Sequence, residues 1–95
     1  MIFVVGKLTL KPGKNTVFME GWAELIEEYR KEPGCIMYHV GRSTTNENLW
    51  YMISQWESEE LYDKHLEGPF YQRAYAYSIG FLTKEPEIER CYMDV

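Results

Sequence analysis

Hydrophobic residues recur along this chain with a period that switches from two to 3.6 and back, and that order leaves few folds open. Residues 2–10, IFVVGKLTL, are β-branched and apolar at first, then alternate Leu8 and Leu10 against Lys7 and Thr9, as a strand does. Lys11-Pro12-Gly13 is a turn. Over residues 14–31, Phe18, Trp22, Leu25, Ile26 and Tyr29 fall on one stripe of a helix, with Glu20, Glu24, Glu27, Glu28 and Arg30 mostly off it. Pro33-Gly34 ends that helix, because Pro cannot continue it and disfavours helical backbone at Glu32. Residues 35–42, CIMYHVGR, read as a second strand, with Cys35, Met37 and His39 expected on one face and Ile36, Tyr38 and Val40 on the other. Leu49 to Trp56 is a third strand, reached through a polar stretch, Ser43 to Asn48, of hairpin length. Ser58 then caps a short helix with Glu59 and Glu60 in its first turn. Gly68-Pro69 breaks it, and Pro69 suits the start of a further helix over 70–82, striped by Phe70, Ala74, Tyr77 and Phe81 with Tyr71 and Tyr75 beside them. Residues 87–95 alternate again, as a fourth strand.

The order βαββαβ predicts an α+β fold, a ferredoxin-like sandwich of one antiparallel sheet with helices on one face. Right-handed crossovers put the first strand beside the third and the second and fourth at opposite edges. Cys35 and Cys91 then lie too far apart for an intrachain disulfide. The helices cover one face only, so apolar residues on the other predict a homodimer joined sheet to sheet, a dimeric α/β-barrel assembly. Gly6 shares a face with Ile2, Val4, Leu8 and Leu10; a strand glycine often marks close approach of a backbone or ligand, but the gap here is expected rather to be filled by a neighbouring aromatic ring.

Ninety-five residues make one domain, 1–95. Hydrophobic residues are 45% and aromatic residues 16% of the chain, enough for a core with apolar surface to spare. The net charge of −5, with no Lys/Arg cluster beyond two adjacent residues, speaks against nucleic acid as a partner. The start, MIFVVGKLTL, lacks a basic leader region and is interrupted by Lys7, so neither a signal peptide nor a membrane span is expected and the cytoplasm is the default location. Two isolated cysteines belong to no Cys/His pattern, so reduced thiols and no metal site are expected. GxGxxG, GxxxxGK[ST] and GxSxG are absent, so nucleotide cofactors and acyl transfer have no support.

Three pieces in this order resemble the antibiotic biosynthesis monooxygenase family. They are the opening strand ending in Lys11-Pro12-Gly13, the Glu32-Pro33-Gly34-Cys35 junction, and Gln55-Trp56-Glu57-Ser58 followed by His65-Leu66 and Pro69. The resemblance implies a small dimeric ferredoxin-like protein. It does not fix the activity, since the family spans cofactor-independent oxygenases of phenols and quinols, heme-degrading enzymes, an isomerase and members of unknown activity. Heme-degrading relatives use an asparagine, a tryptophan and a histidine where this chain has Gly6, His65 and Tyr75, which disfavours heme degradation. Quinol-type members often carry a second histidine where this chain has Phe70.

Oxygenation without metal or flavin needs a substrate that reduces oxygen once deprotonated. The protein then supplies an apolar aromatic pocket, a base and donors to the anion. His65 is the first choice of base, because an imidazole titrates near neutral pH, and His39 is the second. Tyr75, with Tyr71 and Tyr77, would orient a planar substrate or donate to its oxygen; Trp22, Trp50, Trp56 and Phe70 would form walls. Every one of these residues also has a purely structural role open to it, as a core ring or a helix-end contact.

Three functions follow for test. One is a monooxygenase that takes a small aromatic phenol or quinol and molecular oxygen, with no bound cofactor. Another is an isomerase of small oxygenated metabolites that uses His65 as a proton shuttle. The last is a non-catalytic dimeric ligand-binding module. His65→Ala is expected to lower turnover with little loss of folding.

Overall fold

The computed structural model describes residues 1–95. The elements run β1 (Ile2–Thr9), α1 (Asn15–Arg30), β2 (Cys35–Arg42), β3 (Leu49–Trp56), α2 (Glu59–Glu67), α3 (Pro69–Ile79) and β4 (Glu87–Tyr92). The sheet order is β2-β3-β1-β4, and every neighbouring pair is antiparallel. This is the ferredoxin-like arrangement expected from the periodicity, with the second helical unit split at Gly68-Pro69. Cys35 and Cys91 sit on the two edge strands, and both thiols are free.

Alternation along β1 and β3 decides which residues meet the helices. Ile2, Val4, Leu8 and Leu10 of the β1 run, and Trp50, Met52, Ser54 and Trp56 of β3, are buried beneath them. Phe18, Trp22, Leu25, Ile26 and Tyr29 of α1 pack down onto this face, the same stripe the 3.6 period marks. Gly6 lies opposite Met52, and a Cβ there would come within 2.8 Å of the Met52 Cγ. The gap is therefore filled by a flexible thioether and not by an aromatic ring.

Strand β2 departs from simple alternation. Cys35 faces Trp56 in the register and Met37 faces Gln55, so Ile36 is the extra residue of a bulge. The bulge turns Cys35 to the helix-covered face, where it packs against the core, while Met37 and His39 lie on the opposite face. The three do not share a face as strict alternation required.

The junction between α1 and β2 holds α2 in position. Gly34 has φ +88°, which favours glycine, and a Cβ there would meet the Leu61 side chain at 2.5 Å. Glycine thus serves both the turn and the close approach of α2. The Glu57 N–H donates to the Gly34 carbonyl at 2.9 Å, fastening the end of β3 to the same turn. Ser58 caps α2 as expected, its hydroxyl accepting from the Leu61 N–H at 3.2 Å.

Candidate active site

His65 stands on the last turn of α2 and points into the sandwich, 4% exposed. Five aromatic rings surround it. Tyr29 of α1 meets it edge-on at 4.5 Å between ring centres, Trp56 of β3 lies tilted at 4.7 Å, and Tyr71 of α3 stands at 5.3 Å. Tyr62 of α2 and Tyr38 of β2 complete the cage at 5.8 and 6.4 Å. The Nδ1 atom of His65 is 2.7 Å from Glu32 Oε2.

Beside this cage lies a cavity of about 50 Å³, lined mainly by apolar atoms. Tyr29, Tyr38, Tyr62, His65, Tyr71 and Tyr75 are among the residues that line it, together with apolar side chains such as Leu8, Met52 and Ile88. The hydroxyls of Tyr38, Tyr62 and Tyr71 have no hydrogen-bond partner in the chain. They are nevertheless not entombed, since the one sealed polar atom without a partner is Asn48 Oδ1 in the β2–β3 loop. Hydroxyls that solvent can reach and no protein group meets are free to hydrogen-bond a molecule that enters the cavity.

Burial sets the protonation of the cage. It raises the phenol of Tyr38 far above its ordinary value, raises Tyr29 strongly against a small opposing effect of the Trp22 indole, pushes Tyr62 up to about 12 and raises Tyr71. All four stay protonated at neutral pH and are neutral donors. For His65, burial lowers the pKa below the ordinary 6.5, and the Glu32 hydrogen bond and charge act against that. The resting ring is neutral at pH 7, as a base must be.

This shift has a consequence for stability. The unfolded chain holds the His65 proton more tightly than the native one, so the contribution is intact above pH about 6.5 and is lost as pH falls from there through the lower native value. Thermal unfolding followed by circular dichroism should show a midpoint that drops as pH falls below about 6.5, and His65→Gln should flatten that drop. An equally steep fall in the variant would refute the assignment.

Sequence reasoning picked His65, Tyr71, Tyr75 and Trp22, and all four line the cavity. Tyr75 stands at its edge, 39% exposed, with its hydroxyl donating to Glu85 at 3.0 Å. The other choices lie elsewhere. His39 is exposed on the far face of the sheet, paired with Ile53, because its place in β2 points away from the helices. Trp50 is buried at the far end of α1, its indole N–H donating to Asn15 Oδ1 at 2.9 Å, and lines an outer groove with Arg42. Phe70 and Tyr77 lie on the flank of α3 that faces α1, around Gly21, where the Tyr77 hydroxyl donates to the Val17 carbonyl at 2.7 Å. They miss the cavity because α3 turns Tyr71, Ala74, Tyr75 and Ser78 toward it; of the stripe read off the sequence only Ala74 belongs to that face. Tyr29, Tyr38, Tyr62, Ser78 and Glu32 were missed as site residues. The first two read as core positions, and nothing local ties Glu32 to a histidine 33 residues on.

No three His, Cys, Asp or Glu side chains converge as a metal site would require. No helix is long and apolar enough to cross a membrane.

With this geometry, likeness to known proteins can be weighed. An uncharacterized protein of Synechocystis is 31% identical over 88 residues, which cover 93% of this chain and 60% of that protein. The chain thus spans about three fifths of the curated relative it matches. A conserved protein of Methanosarcina mazei Go1 has the same fold at a TM-score of 0.89 and 35% identity, over 94% of this chain and 88% of its own. SnoaB, a cofactor-independent oxygenase from Streptomyces nogalater, superposes with a TM-score of 0.87 at 16% identity, over 99% of this chain and 93% of its own, a likeness of fold alone. The sequence model of the antibiotic biosynthesis monooxygenase family matches residues 1–77, and the chain belongs to that family.

Proposed function

We propose that this chain is a small-molecule monooxygenase that takes a phenol or quinol in the His65 cavity and uses molecular oxygen without metal or flavin. The observation that carries the reading is a buried, neutral histidine facing a cavity ringed by protonated tyrosines. His65 removes the phenolic proton. Tyr38, Tyr62 and Tyr71 donate to the resulting oxyanion, where fixed neutral donors stabilise charge without having to reorganise. The anion reduces oxygen, and the pair recombines at a ring carbon as a peroxide that loses water. A quinol plus O₂ then gives a hydroxyquinone plus H₂O, with the substrate as both reductant and oxygen acceptor. Membership of a monooxygenase family and the fold shared with a cofactor-independent oxygenase support this reading.

Cavity size favours a second reading alongside it. A dry cavity of about 150 Å³ holds benzene, whereas this one measures about 50 Å³. A ring is admitted only if part of the wall moves outward, whereas an isomerase of a smaller oxygenated metabolite would use the same base with less displacement. Oxygen uptake decides between them. With metal chelated and no flavin added, a panel of hydroquinones and naphthols should include at least one that drives stoichiometric oxygen consumption. Turnover of a small hydroxycarbonyl with no oxygen consumed would establish the isomerase instead.

We further propose a homodimer joined through the uncovered sheet face. Val5, Tyr51 and Ile53 are 38%, 46% and 45% exposed there, beside half-buried Phe3, Met37 and Leu49. A contiguous apolar face of this kind is a usual site of association. Sedimentation at micromolar concentration should return the dimer mass, and a clean monomer would overturn it.

A further inference from the structure

We propose that Glu32 is the positioning residue of this site: it fixes His65 as the Nδ1–H tautomer, so that Nε2 is the ring nitrogen offered to the cavity. The catalytic part of this inference rests on the reading of His65 as a base; the tautomer does not.

A carboxylate accepts hydrogen bonds and cannot donate them, so the 2.7 Å contact to Glu32 Oε2 requires the proton on Nδ1. In a neutral ring that leaves the lone pair on Nε2. This atom has no partner in the chain and is not sealed from solvent, and His65 lines the cavity, which makes Nε2 the nitrogen free to meet a ligand there. The orientation of the ring is thus set from behind by one group.

The rest of the cage offers no substitute for Glu32. The titratable groups facing the ring are the phenols of Tyr29 from α1, Tyr38 from β2, Tyr62 from α2 and Tyr71 from α3, and Trp56 from β3 is neutral. Arg90 of β4 lies over the Tyr62 ring and is held by Glu59 and Asp63. Glu32 is the charged group in contact with the imidazole. When Nε2 takes a proton from substrate, a cation forms in a buried place, and such a charge is tolerated there only if it is paired. Glu32 pairs it at once, with no side chain having to move.

The local sequence holds this carboxylate still. The Glu32 N–H donates to the Tyr29 carbonyl at 3.1 Å, and the Glu32 carbonyl accepts from the Cys35 N–H at 3.1 Å. Pro33 narrows its backbone freedom, and Gly34 lets Leu61 of α2 close onto the junction. Glu32-Pro33-Gly34 therefore brings α2, and His65 with it, onto the acid.

The test reads the tautomer directly. Long-range ¹H–¹⁵N NMR of the wild-type chain without substrate, near neutral pH, should show a protonated Nδ1 and a bare Nε2 at His65. In Glu32→Gln the amide oxygen can still accept from Nδ1–H, but the charge is gone. The His65 titration should then move to lower pH, the acid limb of the oxygen-uptake profile should move with it, and turnover near pH 7 should fall about tenfold. Glu32→Ala should lose tautomer control as well. A wild-type ring protonated on Nε2, or a folded Glu32→Gln chain with an unmoved His65 titration, overturns the proposal. The wild-type measurement needs no variant to fold. A chain that shows the expected tautomer and titration yet takes up no oxygen supports the role of Glu32 and counts against the oxygenase.

Discussion

Replacing His65 with glutamine is expected to lower turnover of an accepted quinol by about 10²–10⁴-fold, the usual worth of a positioned general base. Glutamine is the informative choice because of where the ring sits. At 4% exposure, wedged among five aromatic side chains and bonded to Glu32, His65 is also a structural residue. The sequence alone led us to expect little loss of folding in His65→Ala. The structure revises that expectation: alanine removes a packed ring and leaves a part-buried carboxylate without its donor, which together cost about 2–4 kcal/mol. Glutamine keeps an N–H for Glu32 and much of the volume, but it has no lone pair basic enough to take a phenolic proton. Oxygen-electrode kinetics on both variants, beside urea unfolding, separate the two effects. Unchanged turnover in a folded His65→Gln chain would remove His65 as the base.

The largest loss of stability is expected at Trp56. Its side chain is fully buried at the end of β3, packed on Tyr62 at 5.6 Å and on His65, and its indole N–H donates to Ser54 Oγ at 3.0 Å. Trp56→Ala should cost about 3–5 kcal/mol, from the cavity it opens and the loss of large apolar contacts. Ser54, itself completely buried, would also lose its partner. Small domains hold only about 5–15 kcal/mol in all, so this variant should be largely unfolded at modest urea. Trp56→Phe should cost markedly less, because an aromatic ring remains and only part of the indole's volume is lost together with its N–H. Equal urea midpoints for Trp56→Ala and wild type would refute this account of the core.

Element order, sheet topology and the helix caps were legible in the chain because each depends on short-range chemistry. Period-two and period-3.6 runs, Pro69 and the Ser58 cap act within a few residues. The site was half legible. His65, Tyr71 and Tyr75, which line the cavity, were candidates from the sequence because one of only two histidines and the tyrosines after it stand out by residue type alone. Glu32 was not, because its meaning depends on α2 folding back onto the α1–β2 junction, a long-range event with no local mark. Phe70 and Tyr77 lie away from the His65 cavity because of the phase of α3. A helix with apolar residues on several faces leaves its rotation to its neighbours, here Gly21 of α1 and the start of β4. The bulge at Ile36 was invisible for a related reason: an extra residue in a strand is defined only by the partner strand it fails to match.

The cavity wall draws on every element of the fold: Leu8 from β1, Trp22 and Tyr29 from α1, Tyr38 from β2, Met52 from β3, and residues of α2, α3 and β4 besides. No partly folded form of the chain can assemble it. A compound that occupies it binds the native state alone, and so shifts the folding equilibrium of the whole molecule by an amount that grows with the logarithm of its concentration. At a hundredfold excess over its dissociation constant that shift is about 2.7 kcal/mol, several degrees in melting temperature for a chain of this size. Thermal-shift screening of small phenols, quinols and hydroxycarbonyls can therefore identify the natural ligand before any reaction is known.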